Sequence, residues 1–230
     1  MKKLILFLLI ISTAILCGCK KEEENDFAKM LAEYREAKVA SFLEENKNYK
    51  KGEIDVAFIG DSLTDGYNVV ESYPQYKVVN RGIGGDTTFT LEDRLQVSLY
   101  DIQPKVVVML IGANNFATMF ENYENILKSY VENLPNSKII LLSLTSMSGE
   151  WGKNNQLAAY NNVKIKKLAE KYSFEFVDLY SPLMNLETGE IFPEYTTDGG
   201  HLTKEGYSVL TENITPAIEK QLAAWQNENS

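Results

Sequence analysis

The sequence predicts an α/β fold in which a five-stranded, mostly parallel sheet lies between layers of helices. Five short runs of apolar residues are near-continuous rather than alternating in polarity, which is typical of strands buried on both faces. Helical patterns separate these runs, and alternating β and α elements of this kind favour parallel pairing through crossover helices. With 230 residues, of which 44% are hydrophobic, the chain can bury the core of one ordinary domain.

The predicted elements cover the chain in order, without an internal repeat or a second domain. Asp26 is predicted to cap a helix that runs to about Asn48. The five strands are predicted at Ile54–Ile59, Tyr76–Val79, Val106–Ile111, Ile139–Leu144 and Phe174–Leu179. Helices are predicted near Thr90–Asp101, Tyr123–Leu134, Asn155–Tyr172 and Lys204–Trp225. Open parallel sheets bind ligands at the carboxyl ends of their strands, so the residues that follow each strand are the candidates for a site.

The first 18 residues are typical of a bacterial signal peptide. Two lysines precede the apolar run Leu4–Leu16, which is too short to cross a bilayer as a mature helix. The run ends in Leu16-Cys17-Gly18-Cys19, which resembles the bacterial lipobox, where a small residue precedes the cysteine that becomes lipidated. Only Cys19 follows a small residue, so we expect Cys19 to carry the lipid. A plain secreted protein and an uncleaved anchor are the alternatives.

The predicted organisation has three parts: a signal peptide (residues 1–18), the lipidated Cys19 with a charged tether (19–26), and a single domain (27–230). The mature chain would be anchored by its lipid in the bacterial cell envelope, on the periplasmic side or at the cell surface. Because cleavage would leave one cysteine, we expect no intrachain disulfide.

The charge and composition exclude several classes of partner. The chain has 23 Lys and Arg against 32 Asp and Glu, for a net charge of −9, which is the wrong sign for binding a nucleic acid backbone. One histidine and two cysteines cannot assemble a zinc site, and the carboxylates do not have calcium-loop spacing. We therefore expect no metal site.

A serine and the single histidine are the first candidates for chemistry. The first strand ends in Gly60-Asp61-Ser62, which places Ser62 as a candidate nucleophile, although a simple turn explains this motif equally well on its own. A serine hydroxyl needs a neighbouring base that removes its proton, because almost no alkoxide forms unassisted at neutral pH. His201 follows Asp198 by three residues in a glycine-rich loop, so Asp198 could accept from one imidazole nitrogen and leave the other for Ser62.

Two further loops offer hydrogen-bond donors, although a tight turn is the structural alternative for each. The glycine-rich segment Asn80–Thr88 follows the second strand and leaves backbone N–H groups open. It is not a dinucleotide fingerprint, because Thr87 stands where the third glycine is required. Asn114 follows the third strand and carries an amide. Backbone N–H groups and an amide are the components of an oxyanion hole.

These four motifs, present and in order, resemble the blocks of the SGNH hydrolases, also called GDSL esterases and lipases. The resemblance implies that Ser62 is the nucleophile, with Asp198 and His201 completing the triad. It also implies that the N–H groups of Ser62 and Gly85 and the amide of Asn114 form the oxyanion hole, and that no cofactor is needed. The fold implied is the three-layer, flavodoxin-like α/β/α sandwich of that family.

The resemblance extends from about Asp55 to Leu210 and is closest to platelet-activating-factor acetylhydrolase-like and carbohydrate O-acetylesterases. The thioesterase and lysophospholipase branch more often has Asp at the position of Asn115. We therefore expect a serine esterase that removes short acyl groups, acetyl in particular, from a glycan or another small ester. The alternatives are a lipid acyl hydrolase, an acyltransferase, a noncatalytic glycan-binding lipoprotein and a structural tether.

Several apolar residues lie on loops that should approach this site. Their rings could stack on a sugar, or they could simply cover the core. They are Leu63, Phe116, Trp151, Phe192 and Tyr195.

Overall fold

The computed structural model describes residues 26–229, so the predicted signal peptide, Cys19 and most of the tether lie outside the described residues. Over residues 26–229 the chain divides into two units, with the boundary between Ala40 and Ser41. A first helix, α1, covers residues 26–46, close to the prediction. Between residues 26 and 229, no helix is both long enough and apolar enough to cross a membrane.

The second unit contains a five-stranded sheet whose pairings are all parallel, which confirms the predicted fold class. The strand order is β2-β1-β3-β4-β5, the order of flavodoxin-like folds. The strands are β1 (Val56–Gly60), β2 (Val78–Gly82), β3 (Val106–Leu110), β4 (Lys138–Leu142) and β5 (Glu175–Val177).

The remaining elements are helices and helical turns that connect the strands. The α-helices are α2 (Ser62–Asp65), α3 (Val69–Ser72), α4 (Thr88–Glu92), α5 (Tyr123–Asn133), α6 (Gly149–Gly152), α7 (Asn155–Tyr172), α8 (Tyr180–Leu183) and α9 (Lys204–Asn229). A π-helix covers Gln96–Tyr100, and 3₁₀ turns cover Met119–Glu121 and Pro193–Tyr195. The helix predicted near Thr90–Asp101 is thus divided, with Arg94 between its two parts.

Hydrophobic side chains pack on both faces of the sheet. Because successive side chains of a strand point to opposite faces, Ala57 and Ile59 of β1 join one core cluster, together with residues of α5 and α7. Val56 and Phe58 join the other cluster, together with residues of α9. The predicted three-layer arrangement is therefore confirmed.

Strand β2 extends to Gly82, so the prediction that it ends before Asn80 is wrong. The polar residues of this extension have specific partners. The buried Arg81 side chain pairs with Glu45 at 2.6 Å, and the Asn80 amide donates to the carbonyl of Thr64 at 2.6 Å. These side-chain bonds let a polar segment complete the strand.

The strand order places a topological switch point between β1 and β3. The chain passes from β1 to β2 on one side and then returns to β3 on the other side of β1. Connections leave in opposite directions at such a point and open a crevice outside the carboxyl ends of the two strands. Gly60 and Leu110 are paired at these ends, so the segments that follow them lie beside the crevice.

Candidate active site

Asp198, His201 and Ser62 form one chain of hydrogen bonds. Asp198 Oδ2 lies 2.7 Å from His201 Nδ1, and His201 Nε2 lies 3.1 Å from Ser62 Oγ. Ser62 is the first residue of α2, directly after Asp61, which caps this helix at the end of β1. The structure thus brings together the three residues that the sequence singled out as nucleophile, base and acid.

Asp198 is held as an anion by its own loop. Its Oδ1 accepts from the backbone N–H groups of Gly200 at 2.9 Å and His201 at 2.7 Å. Burial alone would raise the pKa of Asp198, but the hydrogen bonds from His201 and Gly200 outweigh it and lower the pKa to about 2. A carboxylate at Nδ1 favours the imidazole tautomer whose Nε2 can accept a proton from Ser62.

The turn that contains Asp198 and His201 is held in position by close contact between Gly199 and Ser148, which lies in the loop after β4. Gly199 has φ of +91°, and its carbonyl accepts from the backbone N–H of Ser148 at 2.9 Å. A Cβ atom at Gly199 would lie 2.3 Å from the Ser148 carbonyl oxygen, so only glycine fits here. The ring of Trp151 meets His201 edge-on, with 6.0 Å between the ring centroids.

The predicted oxyanion donors lie on two loops beside α2. Gly85 adopts φ of +82°, and its neighbour Gly84 donates its N–H to Asp65 of α2 at 2.9 Å. The Asn114 amide donates one N–H to the carbonyl of Asp86 at 2.9 Å, which leaves its second N–H for a ligand. Over residues 26–229, the backbone N–H groups of Ser62 and Gly85 donate to no protein acceptor.

Asn115, where the thioesterase branch more often has Asp, forms two hydrogen bonds with Thr88. Its Nδ2 donates to Thr88 Oγ1 at 2.9 Å, and its Oδ1 accepts from the Thr88 backbone N–H at 3.3 Å. An amide supplies both a donor and an acceptor, whereas a carboxylate only accepts. Asn115 therefore joins the Asn114 loop to the start of α4.

Sequence reasoning missed three charged residues that shape the site. Asp65 holds Gly84, and the buried side chains of Asp86 and Arg94 form an ion pair of 2.6 Å behind the Gly85 loop. Arg94 precedes the buried Leu95 in the apolar pattern of its segment, and a charge at such a position is the signal that could have found it.

The five apolar loop residues have different environments. Leu63 and Phe116 are buried in the core, and Phe192 and Tyr195 pack edge-on against each other at 5.6 Å. Trp151 is partly buried and also contacts His201. Core cover is therefore the correct interpretation for Leu63 and Phe116, whereas Trp151 reaches the site.

Asp61, next to Ser62, is a buried carboxyl group at the start of α2. Its Oδ1 accepts from the backbone N–H of Leu63 at 3.2 Å, and its Oδ2 has no hydrogen-bond partner among residues 26–229. Burial raises the pKa of Asp61 from 3.8 to about 6, although nearby backbone N–H groups oppose this shift. The folded protein thus retains a proton on Asp61 at pH values where the unfolded chain has released it.

This shift predicts how Asp61→Asn changes the pH dependence of stability. The stabilising contribution of the protonated Asp61 is complete below pH 3.8 and is lost as the pH rises through about 6. Between pH 3.5 and pH 7.5, the free energy of unfolding of the variant should therefore gain about 3 kcal/mol relative to wild type. Urea unfolding of both proteins across this range measures the difference. If the free energies of unfolding of the two proteins changed with pH by the same amount, the prediction would be wrong.

Comparison with known proteins shows the family to which the chain belongs. The model of the GDSL-like Lipase/Acylhydrolase family matches residues 58–209. Platelet-activating factor acetylhydrolase IB subunit alpha2 from Homo sapiens is 30% identical over 186 residues, which cover 75% of this chain and 80% of the relative. The similarity to this relative thus extends over most of both chains.

Solved structures have the same fold. A GDSL-like lipase from Bacteroides thetaiotaomicron superposes with a TM-score of 0.70 at 26% identity, covering 79% of this chain and 97% of its own. An acetylxylan esterase from Geobacillus stearothermophilus, at 22% identity, shares the fold with a TM-score of 0.61 and coverage of 74% and 95%. The chain therefore belongs to the GDSL-like lipase/acylhydrolase family and is a carboxylic ester hydrolase.

Proposed function

We propose that the protein is a serine esterase that removes short acyl groups, acetyl in particular, from carbohydrates through an acyl-enzyme. The hydrogen-bonded chain Asp198–His201–Ser62 is the observation that carries this proposal. A serine, an imidazole and a carboxylate in this order constitute a nucleophile, a general base and a group that stabilises the imidazolium.

In the first half of the reaction, His201 Nε2 takes the proton of Ser62 as Oγ attacks the ester carbonyl. The carbonyl oxygen becomes negative and is held by the N–H groups of Ser62 and Gly85 and by the Asn114 amide. Asp198 stabilises the imidazolium. The tetrahedral intermediate then collapses, the bond to the alcohol oxygen breaks, and His201 returns the proton to the departing alcohol.

In the second half, water replaces the alcohol. His201 takes a proton from the water as its oxygen attacks the acyl carbonyl, and the same donors hold the new oxyanion. The bond between the carbonyl carbon and Ser62 Oγ breaks, and His201 returns the proton to Oγ. The acid leaves and the enzyme is restored, so the cycle needs no cofactor.

The preference for acetyl esters of carbohydrates has two supports. The human relative is named an acetylhydrolase, and the sequence blocks resemble those of carbohydrate O-acetylesterases.

A series of p-nitrophenyl esters from acetate to decanoate tests the acyl preference, and acetylated xylo-oligosaccharides and a lysophospholipid test the alcohol. We expect kcat/KM to be highest for acetate and to fall with chain length, with acetate released from the oligosaccharides. A maximum at long chains with rapid lysophospholipid hydrolysis would replace the proposal with a lipid acyl hydrolase. No hydrolysis of any ester would leave a binding protein.

Replacing the proposed amide donor should slow turnover. Asn114→Ala removes one of three donors to the oxyanion, a loss that costs about 3 kcal/mol of barrier, so kcat on p-nitrophenyl acetate should fall by about a hundredfold or more. Steady-state kinetics measure the effect. Asn133→Ala is the matched control, because its amide is exposed and bonds within α5. Wild-type turnover in Asn114→Ala would show that the amide has no part in the hole.

We also propose that Cys19 carries a lipid that anchors the protein in the bacterial cell envelope. The lipobox-like segment before Cys19 and the charged residues after it support this. Labelled palmitate should be incorporated into the wild-type protein and the control Cys17→Ser but not into Cys19→Ser, which should leave the membrane fraction. Incorporation into Cys19→Ser would refute the proposed anchor.

A further inference from the structure

A buried ion pair lies directly behind the proposed oxyanion donors. The Arg94 side chain is 3% exposed and that of Asp86 is 0% exposed, and Arg94 Nε lies 2.6 Å from Asp86 Oδ2. Charges removed this far from water destabilise a fold unless they are paired and hydrogen-bonded. The pair therefore needs further partners, and these partners connect it to the site.

Arg94 joins the ends of two strands and the π-helix. Its Nη2 donates to the carbonyl of Gly60 at 3.0 Å, at the end of β1. Its Nη1 donates to the carbonyl of Arg81 in β2 at 2.9 Å and to Ser98 Oγ in the π-helix at 2.8 Å. With Asp86, the guanidinium serves four acceptors, whereas a lysine ammonium has only three donors. A π-helical turn of this kind is frequent at functional sites.

Asp86 connects this guanidinium to two of the three proposed oxyanion donors. Its backbone directly follows Gly85, and its carbonyl accepts from the Asn114 amide at 2.9 Å. Thr90 Oγ1 donates to the other carboxylate oxygen, Oδ1, at 3.0 Å. The third donor belongs to Ser62, two residues after the carbonyl of Gly60 that Arg94 also holds.

We infer that Arg94 is a positioning residue for the oxyanion hole, an inference that rests on the proposed function. Through Asp86 it orients the Gly85 N–H and the Asn114 amide, and through Gly60 it fixes these donors relative to Ser62. Arg94 itself is buried behind the loop and acts only through these neighbours. Its loss should therefore affect the transition state more than the binding of substrate.

The experiment compares Arg94→Lys with Arg81→Lys in the full chain. Arg81 is a matched control because its side chain is buried like that of Arg94 but bonds Glu45 and Asn46 instead of the Asp86 loop. Only the backbone carbonyl of Arg81 contacts Arg94, and Arg81→Lys keeps this carbonyl. On p-nitrophenyl acetate, kcat of Arg94→Lys should fall by roughly 10- to 100-fold with KM changed by less than about threefold. Arg81→Lys should retain kcat within about threefold.

A transition-state analogue separates positioning from a general loss of structure. Methyl trifluoromethyl ketone adds to a serine Oγ and forms a hemiketal oxyanion, so its affinity for Arg94→Lys should fall by the same factor as kcat. If Arg94→Lys does not fold, Asp86→Asn replaces it, because this variant leaves the contacts of Arg94 with Gly60, Arg81 and Ser98 in place. The same loss of kcat and of ketone affinity is then expected.

Three results would overturn the inference: wild-type kcat and ketone affinity in Arg94→Lys, an equal loss in Arg81→Lys, or a change confined to KM. Ser62→Ala and Asn114→Ala are measured beside these variants. Wild-type turnover in Ser62→Ala would reject the proposed catalytic site itself, and wild-type turnover in Asn114→Ala would remove its amide from the oxyanion hole, whatever Arg94→Lys does. The two failures are therefore distinguishable.

Discussion

Ser62→Ala should reduce hydrolysis of p-nitrophenyl acetate by about 10⁴-fold or more, because the variant has no oxygen with which to form the acyl-enzyme. His201 Nε2 would lose its neighbour at 3.1 Å, but the Asp198–His201 pair and the sheet should remain, since Ser62 is not a core side chain. The variant should therefore fold with wild-type stability.

Two measurements check this expectation. Steady-state kinetics give the loss of activity, and a fluorophosphonate probe should add covalently to the wild-type protein but not to Ser62→Ala. Ser208→Ala is the control, because its hydroxyl is exposed on α9 and bonds within that helix. If Ser62→Ala is still labelled and active, the nucleophile is another residue.

Asp198→Asn should lower kcat by about 10³- to 10⁴-fold while leaving the backbone of the loop unchanged. An asparagine that donates to Nδ1 favours the tautomer with a proton on Nε2, which cannot then accept the proton of Ser62. It also removes the negative charge 2.7 Å from Nδ1 that stabilises the imidazolium.

The pH profile of the wild-type enzyme provides a second test of Asp198. Because the pKa of Asp198 is lowered to about 2, this carboxylate stays ionised down to well below pH 5. The wild-type carboxylate is consequently ionised at both pH 6 and pH 8, so Asp198→Asn should be the less active protein at both pH values. Asp101→Asn, which alters an acid that bonds Gln96, is the control. Activity within tenfold of wild type would remove Asp198 from the mechanism.

The strand positions could be predicted because a strand that is buried on both faces is a near-continuous run of apolar residues, and Val106–Leu110 is the clearest case. The residue at which β2 ends could not be predicted in this way. Asn80 and Arg81 resemble loop residues until their distant partners, such as Glu45, are known. By contrast, the helix predicted over Lys204–Trp225 is confirmed: α9 continues through Pro216, because packing along a long helix stabilises the turn that proline weakens.

The candidate site was predictable to the extent that its side chains belong to short motifs. Ser62 begins the helix after β1 and Asn114 lies in the loop after β3, so the fold class places both near the carboxyl ends of adjacent strands. The Asp198–His201 turn precedes α9, and its motif rather than the fold class connected it with Ser62. Arg94 was not predictable as part of the site. Its partners Gly60 and Arg81 offer backbone carbonyls, and any residue would supply the same acceptors. Only the packing of three segments reveals its role.

The sequence separations within the hydrogen-bonded chain also determine when it can form during folding. Asp198 and His201 are three residues apart, so their contact closes a small loop at little entropic cost. His201 and Ser62 are 139 residues apart, and their contact requires strands β1 to β5 to be in register. Recovery of esterase activity during refolding should therefore coincide with the last step of assembly, which makes catalysis itself a reporter of the completed sheet.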